Sequence, residues 1–446
     1  MPVPGPPNVR ASRLAVGDAI PGGRPVTLLL LVWIALAIVR FLAALPIRQP
    51  QVLTDELAYW QMAFSFHESG SFLFHGKPYD IPAVLYSVVL SPLFALHDLP
   101  LVFDLARLVN GFLLSSVVFP AYGLARELVR PRIALFVALL SGLIPGAAYS
   151  SLILAENLYY PLFCLAFWLA YRTLERGRLL DGGLAAGTFV VAYFTKPHLL
   201  LLAASYGIAV GLHAIDRVLR REKPREVLLG LAVRCAPLAG VLLAGALRFT
   251  VRSRGRGTLS PRLLFGGDAY AGALVVPAGM ASPSRIAAAA AALILTLSLA
   301  VVFLPTARFI ETLFGFRRLP RRLRTLLILS ASALLIHLAV ITRLTISYDT
   351  EPRVHERYLF VLSPALLLLP FALRKARWSA RVPVLLLVVG FTVWLIGMHR
   401  VALSWNTPSD SPSLTGLFLL SRQPTRTVLI VLISTIVFGA VALAAG

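Results

Sequence analysis

Runs of roughly 20 apolar residues, the length that crosses the ~30 Å hydrocarbon core of a bilayer, recur from residue 26 to the end of this chain. A soluble domain has no use for such repetition, because a water-facing helix keeps one polar face. The candidate spans are 26–46, 105–127, 133–153, 157–174, 179–195, 197–215, 227–249, 285–304, 325–345, 358–373, 382–399 and 425–445. Composition agrees: 58% of the 446 residues are hydrophobic and 14% are charged, against about 25% charged in an ordinary soluble protein. The expected fold class is all-α, a polytopic integral membrane bundle of about 11–13 transmembrane helices with interfacial helices in the first outer loop.

The net charge of +22 would suggest nucleic acid in a soluble protein. Here most of the bases fall in short loops between apolar runs, where they set topology and meet lipid headgroups, so no nucleic-acid partner is expected. Their distribution fixes the orientation. The segment 81–98 is apolar enough to cross but contains Pro82 and Pro92. If it stays at the interface, 24 of the 42 bases fall inside, among them Arg126, Arg176, Arg217, Arg321 and Lys375. Counting it as a span turns nearly all of those loops outward. The same topology leaves 8 of the 20 acids inside and gathers Asp55, Glu56, Glu156, Glu356, Asp410 and the others outside. Carboxylates contribute little to topology, so their gathering on one face invites a functional reason.

Three units are expected: a disordered cytoplasmic tail over 1–25, a membrane module over 26–375 that includes the outer loop 47–104, and further C-terminal spans over 376–446. The run from Val26 to Pro46 exceeds the roughly 7–15-residue core of a signal peptide and reads as a retained first span. Cys164 and Cys235 lack the spacing of a metal or disulfide framework.

The first outer loop opens with QVLTDELAYWQMAFSF, in which Thr54 can cap a helix whose first turn holds Asp55 and Glu56. The two acids either complement the helix dipole or serve as a general base beside a lipid-linked phosphate. Tyr59 and Trp60 of the same helix are expected along the lip of a cavity. Glu156, followed by Asn157, Tyr159 and Tyr160, is either an interfacial acid or a ligand for acceptor hydroxyls. Lys196, in a Thr-Lys-Pro turn, meets either a phosphate or a carboxylate, since an unpaired ammonium there is costly. Arg357 can clamp a phosphate with its planar fork or order its loop by an Arg–Glu pair. His355, Glu356 and Tyr358 are expected to line the same cavity. The RSRGRG run at 252–257 binds lipid phosphate or is plainly solvated.

The order of these features resembles the GT-C superfamily of polytopic glycosyltransferases, especially the branch of protein O-mannosyltransferases and aminoarabinose transferases. TDELAYW at 54–60 looks like the acidic motif after the first helix. HGKPYDIPAVLYSVVLSPLFAL resembles the Gly-x-Pro-Tyr…Pro-Pro-Leu-Tyr stretch, and LARLVNGFLLSSVVFPAYGLAREL at 105–128 the second helix. LAENLYYPLF at 154–163, FTKPHLLLL at 194–202 and HERYLFVLSPALLLL at 355–369 resemble, in order, the second-loop acid, the Thr-Lys turn and the late Glu-Arg-Tyr segment. The family often has a lysine directly before Pro-Pro-Leu, where this chain is near Ile81; Lys77 is the lysine nearby.

The resemblance implies transfer of a sugar from a polyprenyl-phosphate donor to a cell-envelope acceptor at the outer face, with inversion and no nucleotide cofactor. It implies Asp55 as base and Glu56 as its assistant or as ligand of a divalent metal that Asp55 and Glu156 would share. Lys196, Arg357 and Lys77 would take the donor phosphate. The Ala-, Arg- and Leu-rich usage points to a bacterial inner membrane with the site facing the periplasm. The competing reading is a polytopic transporter or lipid-linked sugar flippase. It predicts mid-span charges in working pairs, but Arg40 and Arg234 have no obvious acid in a neighbouring span.

Overall fold

A computed structural model describes residues 24–51, 53–79, 82–253, 282–348, 354–373, 383–390 and 410–421. The chain is all-α and polytopic apart from one small hairpin. Helix α1 covers Arg24–Ala44, α2 Thr54–Ser69, α3 Leu85–Leu90, α4 Leu99–Ser115, α5 Val118–Arg126 and α6 Pro131–Leu143. Helix α7 follows over Glu156–Arg176, α8 over Leu179–Thr195, α9 over Leu199–Leu219, α10 over Pro224–Arg234 and α11 over Ala236–Ser253. Later helices occupy Pro283–Ala300, Leu304–Phe314, Arg321–Tyr348, Ser363–Ala372 and Pro412–Ser421.

Six helices among the described residues are long and apolar enough to cross a membrane, or seven if the pair Pro131–Leu143 and Pro145–Ser151, bent by 56°, is one broken span. Leu85–Leu96, Leu179–Thr195 and Phe360–Ala372 are apolar but shorter. Of the expected span 382–399 only 383–390 is described, and 425–445, the RSRGRG run beyond Ser253 and the tail before Arg24 lie outside the described residues. Segment 81–98 forms α3 and a 3-10 helix over Ser91–Leu96, which together reach roughly 20 Å and fall short of the ~30 Å hydrocarbon core.

Lipid-facing and bundle-facing stripes separate cleanly on α1. Leu30, Leu31, Ile34, Ile38, Val39 and Leu42 are exposed, whereas Leu29, Leu36 and Ala37 are buried against the bundle. Gly111 of α4 lets the two helices approach, since a Cβ there would sit 2.9 Å from the Ala37 carbonyl oxygen, the small-residue device of membrane helix pairs. Helix α7 occupies the middle. It is buried around its circumference, which is why it carries the polar Glu156 and Asn157 among its buried residues.

The first outer loop is a separate apolar unit. Tyr59, Met62 and Ala63 of α2 pack with Tyr86, Leu90, Phe94, Phe103 and Ile153. A hairpin of Leu73–Phe74 with Lys77–Pro78 hangs from it, and its turn puts His75 and Gly76 at φ 51° and 73°, the paired positive values of a two-residue turn that glycine accepts without strain.

The opposite end carries the basic loops. Arg172 pairs with Asp181 at 2.5 Å, Arg176 with Glu127 at 2.6 Å, Arg321 with Glu175 at 3.4 Å and Arg324 with Asp216 at 3.2 Å. Helix α7 runs from Glu156 at one end to Arg176 at the other, so its 21 residues separate the acidic and basic ends by roughly 30 Å.

Candidate active site

Buried polar groups set the corner between α1 and α2. Arg107 of α4, fully buried, donates to the carbonyls of Ala44 and of Ile47 (2.6 Å) and pairs with Asp104. A guanidinium at the end of α1 satisfies its last carbonyls and meets the negative end of its dipole. Glu56 ties down the start of α2. One carboxylate oxygen accepts the Gln51 N–H at 2.8 Å and the other the Ile153 N–H at 3.0 Å. Two corrections follow. Thr54 is the first helical residue and Leu53 the N-cap, without a side-chain cap bond. Glu56, expected to assist the base, instead clasps the α2 start to the turn before α7.

That turn is held from the other side as well. The Tyr86 hydroxyl donates to Asn110 Oδ1 at 2.8 Å, while Asn110 Nδ2 and Asn157 Nδ2 both donate to the Leu152 carbonyl at 2.9 Å. Asp55 and Glu156 are therefore brought to the same end by one buried network, 101 positions apart though they are.

Each carboxylate meets a cation. Arg357 Nη1 donates to Asp55 Oδ2 at 2.9 Å, and Lys196 Nζ donates to Glu156 Oε1 within a fully buried pair. Tyr358 joins the two pairs. Its hydroxyl accepts from Arg357 Nη2 at 2.7 Å, and its ring lies 4.8 Å from the Arg357 guanidinium carbon and 5.0 Å from Lys196 Nζ. His198 stacks on the same ring, 4.4 Å between centroids and 8° from parallel. The Asp55 side chain is 45% exposed and its Arg357 partner 15%, so the pair opens outward while Glu156 and Lys196 sit beneath it.

The charges act on one another. Desolvation raises the Asp55 pKa, but Arg357 and Lys196 outweigh it and hold the group below the ordinary carboxylate value. Burial lowers Lys196 against the pull of Glu156, with Arg357 adding to the lowering. Arg357 stays charged: burial opposes its charge, yet Tyr358, Asp55, Glu156 and Asp410 together push it further up. His198 is kept neutral by burial and by the Lys196 and Arg357 cations.

Two neighbours went unremarked in the sequence, and a third, Asp410, was noted only among the outer acids. Tyr79, just past the hairpin, has its phenol pushed up to about 12 by burial and by the charge of Asp55. His198 follows Lys196 by two residues, and Asp410 belongs to the last outer loop. Tyr79 and His198 stand inside the HGKPYD and FTKPH stretches; Asp410 has no such signal. His355 Nδ1 lies 3.7 Å from Asp410 Oδ1, and the Arg357 N–H donates to the Asp410 carbonyl at 3.2 Å.

Other expected site residues are placed elsewhere. Glu356, expected on the cavity wall, is buried and accepts from the Ser411 hydroxyl (2.6 Å), the Ser413 N–H (3.1 Å) and the Ser413 hydroxyl (2.6 Å). It straps the 410–421 segment to the arginine loop. Tyr59 packs edge-on against Tyr86, and Trp60 against Phe94 and Phe103, because aromatic bulk is what docks α2 on its neighbours. Lys77 is exposed on the hairpin.

No group of three or more His, Cys, Asp or Glu side chains able to hold a metal occurs among the described residues. Asp55 is paired with Arg357 and Glu156 with Lys196.

No protein-family model matches the chain, and no curated protein matches it. Among solved structures it is similar to ArnT from Cupriavidus metallidurans bound to undecaprenyl phosphate, at 17% identity and a TM-score of 0.47 over 84% of this chain and 63% of ArnT. Against the apo state of the same protein the values are 16%, 0.45, 85% and 64%. The chain thus spans less than two thirds of the length of ArnT.

Proposed function

We propose that the chain is a GT-C-type membrane glycosyltransferase that moves a sugar from a polyprenyl-phosphate donor to a hydroxyl of a cell-envelope acceptor, with inversion. The observation that carries the reading is the meeting of Asp55, Arg357, Glu156 and Lys196 at the end of the bundle remote from the basic loops. By the positive-inside rule that end faces the periplasm of a bacterial inner membrane.

The ion pairs supply a sequence of events. An arriving donor phosphate competes with Asp55 for Arg357, whose fork suits a phosphate at least as well as a carboxylate. Asp55 then loses the cation that holds its proton affinity down and becomes a better base at the moment the donor is seated. It takes the proton of the acceptor hydroxyl. The acceptor oxygen bonds to the anomeric carbon from the face opposite the phosphate, and the carbon–oxygen bond to phosphate breaks with its electron pair on the phosphate. Arg357 and Lys196 offset that charge. Glu156 keeps Lys196 aimed, and Tyr358 keeps the two cations side by side.

A transporter or flippase fits less well. Arg40 donates to the Ser115 hydroxyl and the Gly142 carbonyl, and Arg234 to the carbonyls of Leu174 and Gly230, each at 2.9 Å, so both mid-span guanidiniums hold helices together. The test is turnover by the purified full chain with a polyprenyl-phosphate sugar and cell-envelope acceptor. Transfer by the wild type that is lost in Asp55→Asn supports the reading. No transfer with any polyprenyl donor, combined with lipid or solute movement in liposomes, replaces it with the transporter.

A further inference from the structure

The basic end contains an arrangement that simple ion pairing does not explain. Arg217 of α9 and Arg234 of α10 face each other over Gly230. A Cβ placed at Gly230 would overlap the Arg234 guanidinium and lie 3.4 Å from Arg217 Nη1. Gly177 makes the same room on the other side, where a Cβ would sit 3.0 Å from Arg234 Nη2. Arg234 is 6% exposed, and its bonds go to neutral carbonyls. Glu222 engages Arg217 through Nε and Nη2, leaving Nη1 turned to the glycine.

Beside them lies His213, 2% exposed, with neither ring nitrogen bonded to any protein group. Arg234, Arg321 and Arg217 all act on it electrostatically. A buried imidazole without a partner is unfavourable, and so are two guanidiniums turned toward one glycine. Glu222 answers Arg217 and Glu175 answers Arg321, while Asp216 serves Arg220 and Arg324; among the described residues no ion pair reaches Arg234.

We propose that His213, Arg217, Arg234 and Arg321 form a site for the phosphate of an anionic membrane lipid, separate from the acidic end. A phosphate accepts from both arginines and from an imidazole N–H at once, and supplies the missing negative charge. The two glycines leave the room in which the Arg234 guanidinium sits. The lipid source follows from position, because Arg217 and Arg321 lie where apolar helices end and basic loops begin.

The test uses the full chain in detergent, titrated with mixed micelles of phosphatidylglycerol or phosphatidylcholine, or with inorganic phosphate, while thermal unfolding is followed. Phosphatidylglycerol should raise the midpoint at about tenfold lower mole fraction than phosphatidylcholine, and Arg217→Gln/Arg321→Gln should remove that tenfold preference. His213→Leu separates ligand binding from folding: it should match or exceed wild-type stability in phosphatidylcholine yet respond less to phosphatidylglycerol. Gly230→Ala should weaken the response by displacing the Arg234 guanidinium. An unchanged phosphatidylglycerol preference in the arginine double variant would overturn the site. So would a phosphate-induced shift in the absence of any lipid effect, which would mark the ligand as a free anion.

Discussion

The two ends of the bundle use the same chemistry for different ends. At the basic end, arginines meet acids across neighbouring helices: Arg176 with Glu127, Arg324 with Asp216, Arg321 with Glu175. The more open of them, such as Arg176 with Glu127, can be lost with little consequence beyond a local rearrangement. At the acidic end two pairs are stacked on one tyrosine ring and drawn from residues 55, 156, 196 and 357. There, moving one charge changes the environment of the other three. The first arrangement ties neighbouring helices; the second couples two cations and two acids through one ring.

That contrast can be broken most severely at Asp55. Asp55→Asn should lower turnover about 10²–10⁴-fold while donor binding, read by retention of the labelled polyprenyl-phosphate sugar, stays near wild type. Arg357→Gln should lose donor retention as well as turnover. If both variants bind donor normally, Arg357 is not the phosphate clamp.

A second effect is structural. Glu156→Gln leaves the Lys196 ammonium buried without its counter-ion and should cost about 3–5 kcal/mol. Glu156→Gln/Lys196→Met should recover much of that in unfolding measurements, since it removes both charges together. Strict additivity of the two single changes would show that the pair does not act as a unit.

The third effect depends on pH. The Asp55 pKa is lowered from 3.8 in the folded chain, so the folded state binds its proton less readily than the unfolded one. Its contribution to stability is present above about pH 4 and fades as pH falls through the lower folded value. Asp55→Asn should flatten that acid limb, and the half-open position of the side chain keeps the change modest. An unaltered limb would detach Arg357 from Asp55.

The smallest effect belongs to the basic end, where Arg176→Ala should cost under about 1 kcal/mol and less still at high salt. A cost as large as that at Glu156 would erase the distinction between the two ends.

Much of the candidate site could be read from the chain because its elements recur in a fixed order: an acid pair after the first helix, an acid at the start of another, a lysine turn and an arginine before a late span. The chain order did not say how the acids divide their work. Asp55 and Glu56 are neighbours, but on α2 one faces the opening and the other turns inward to two backbone N–H groups. Glu356 and Arg357 divide in the same way, one toward Ser411 and Ser413 and the other toward Asp55. A one-residue step on a helix turns a side chain by about 100°, and only the surrounding packing decides which direction meets a cation.

Apolar run length and loop charge determined by themselves that this chain is a helical membrane protein with a basic end and an acidic end. Both are local quantities summed over segments of about 20 residues, so no knowledge of neighbours is required. The tertiary structure alone decided the partners. Asp410, His198 and Tyr79 join the cluster from three separate parts of the chain, and Glu356 binds residues 411 and 413 far along the sequence. Contacts of that range depend on how helices pack, and helix packing is set by shape across the whole bundle, as Gly111 against Ala37 shows.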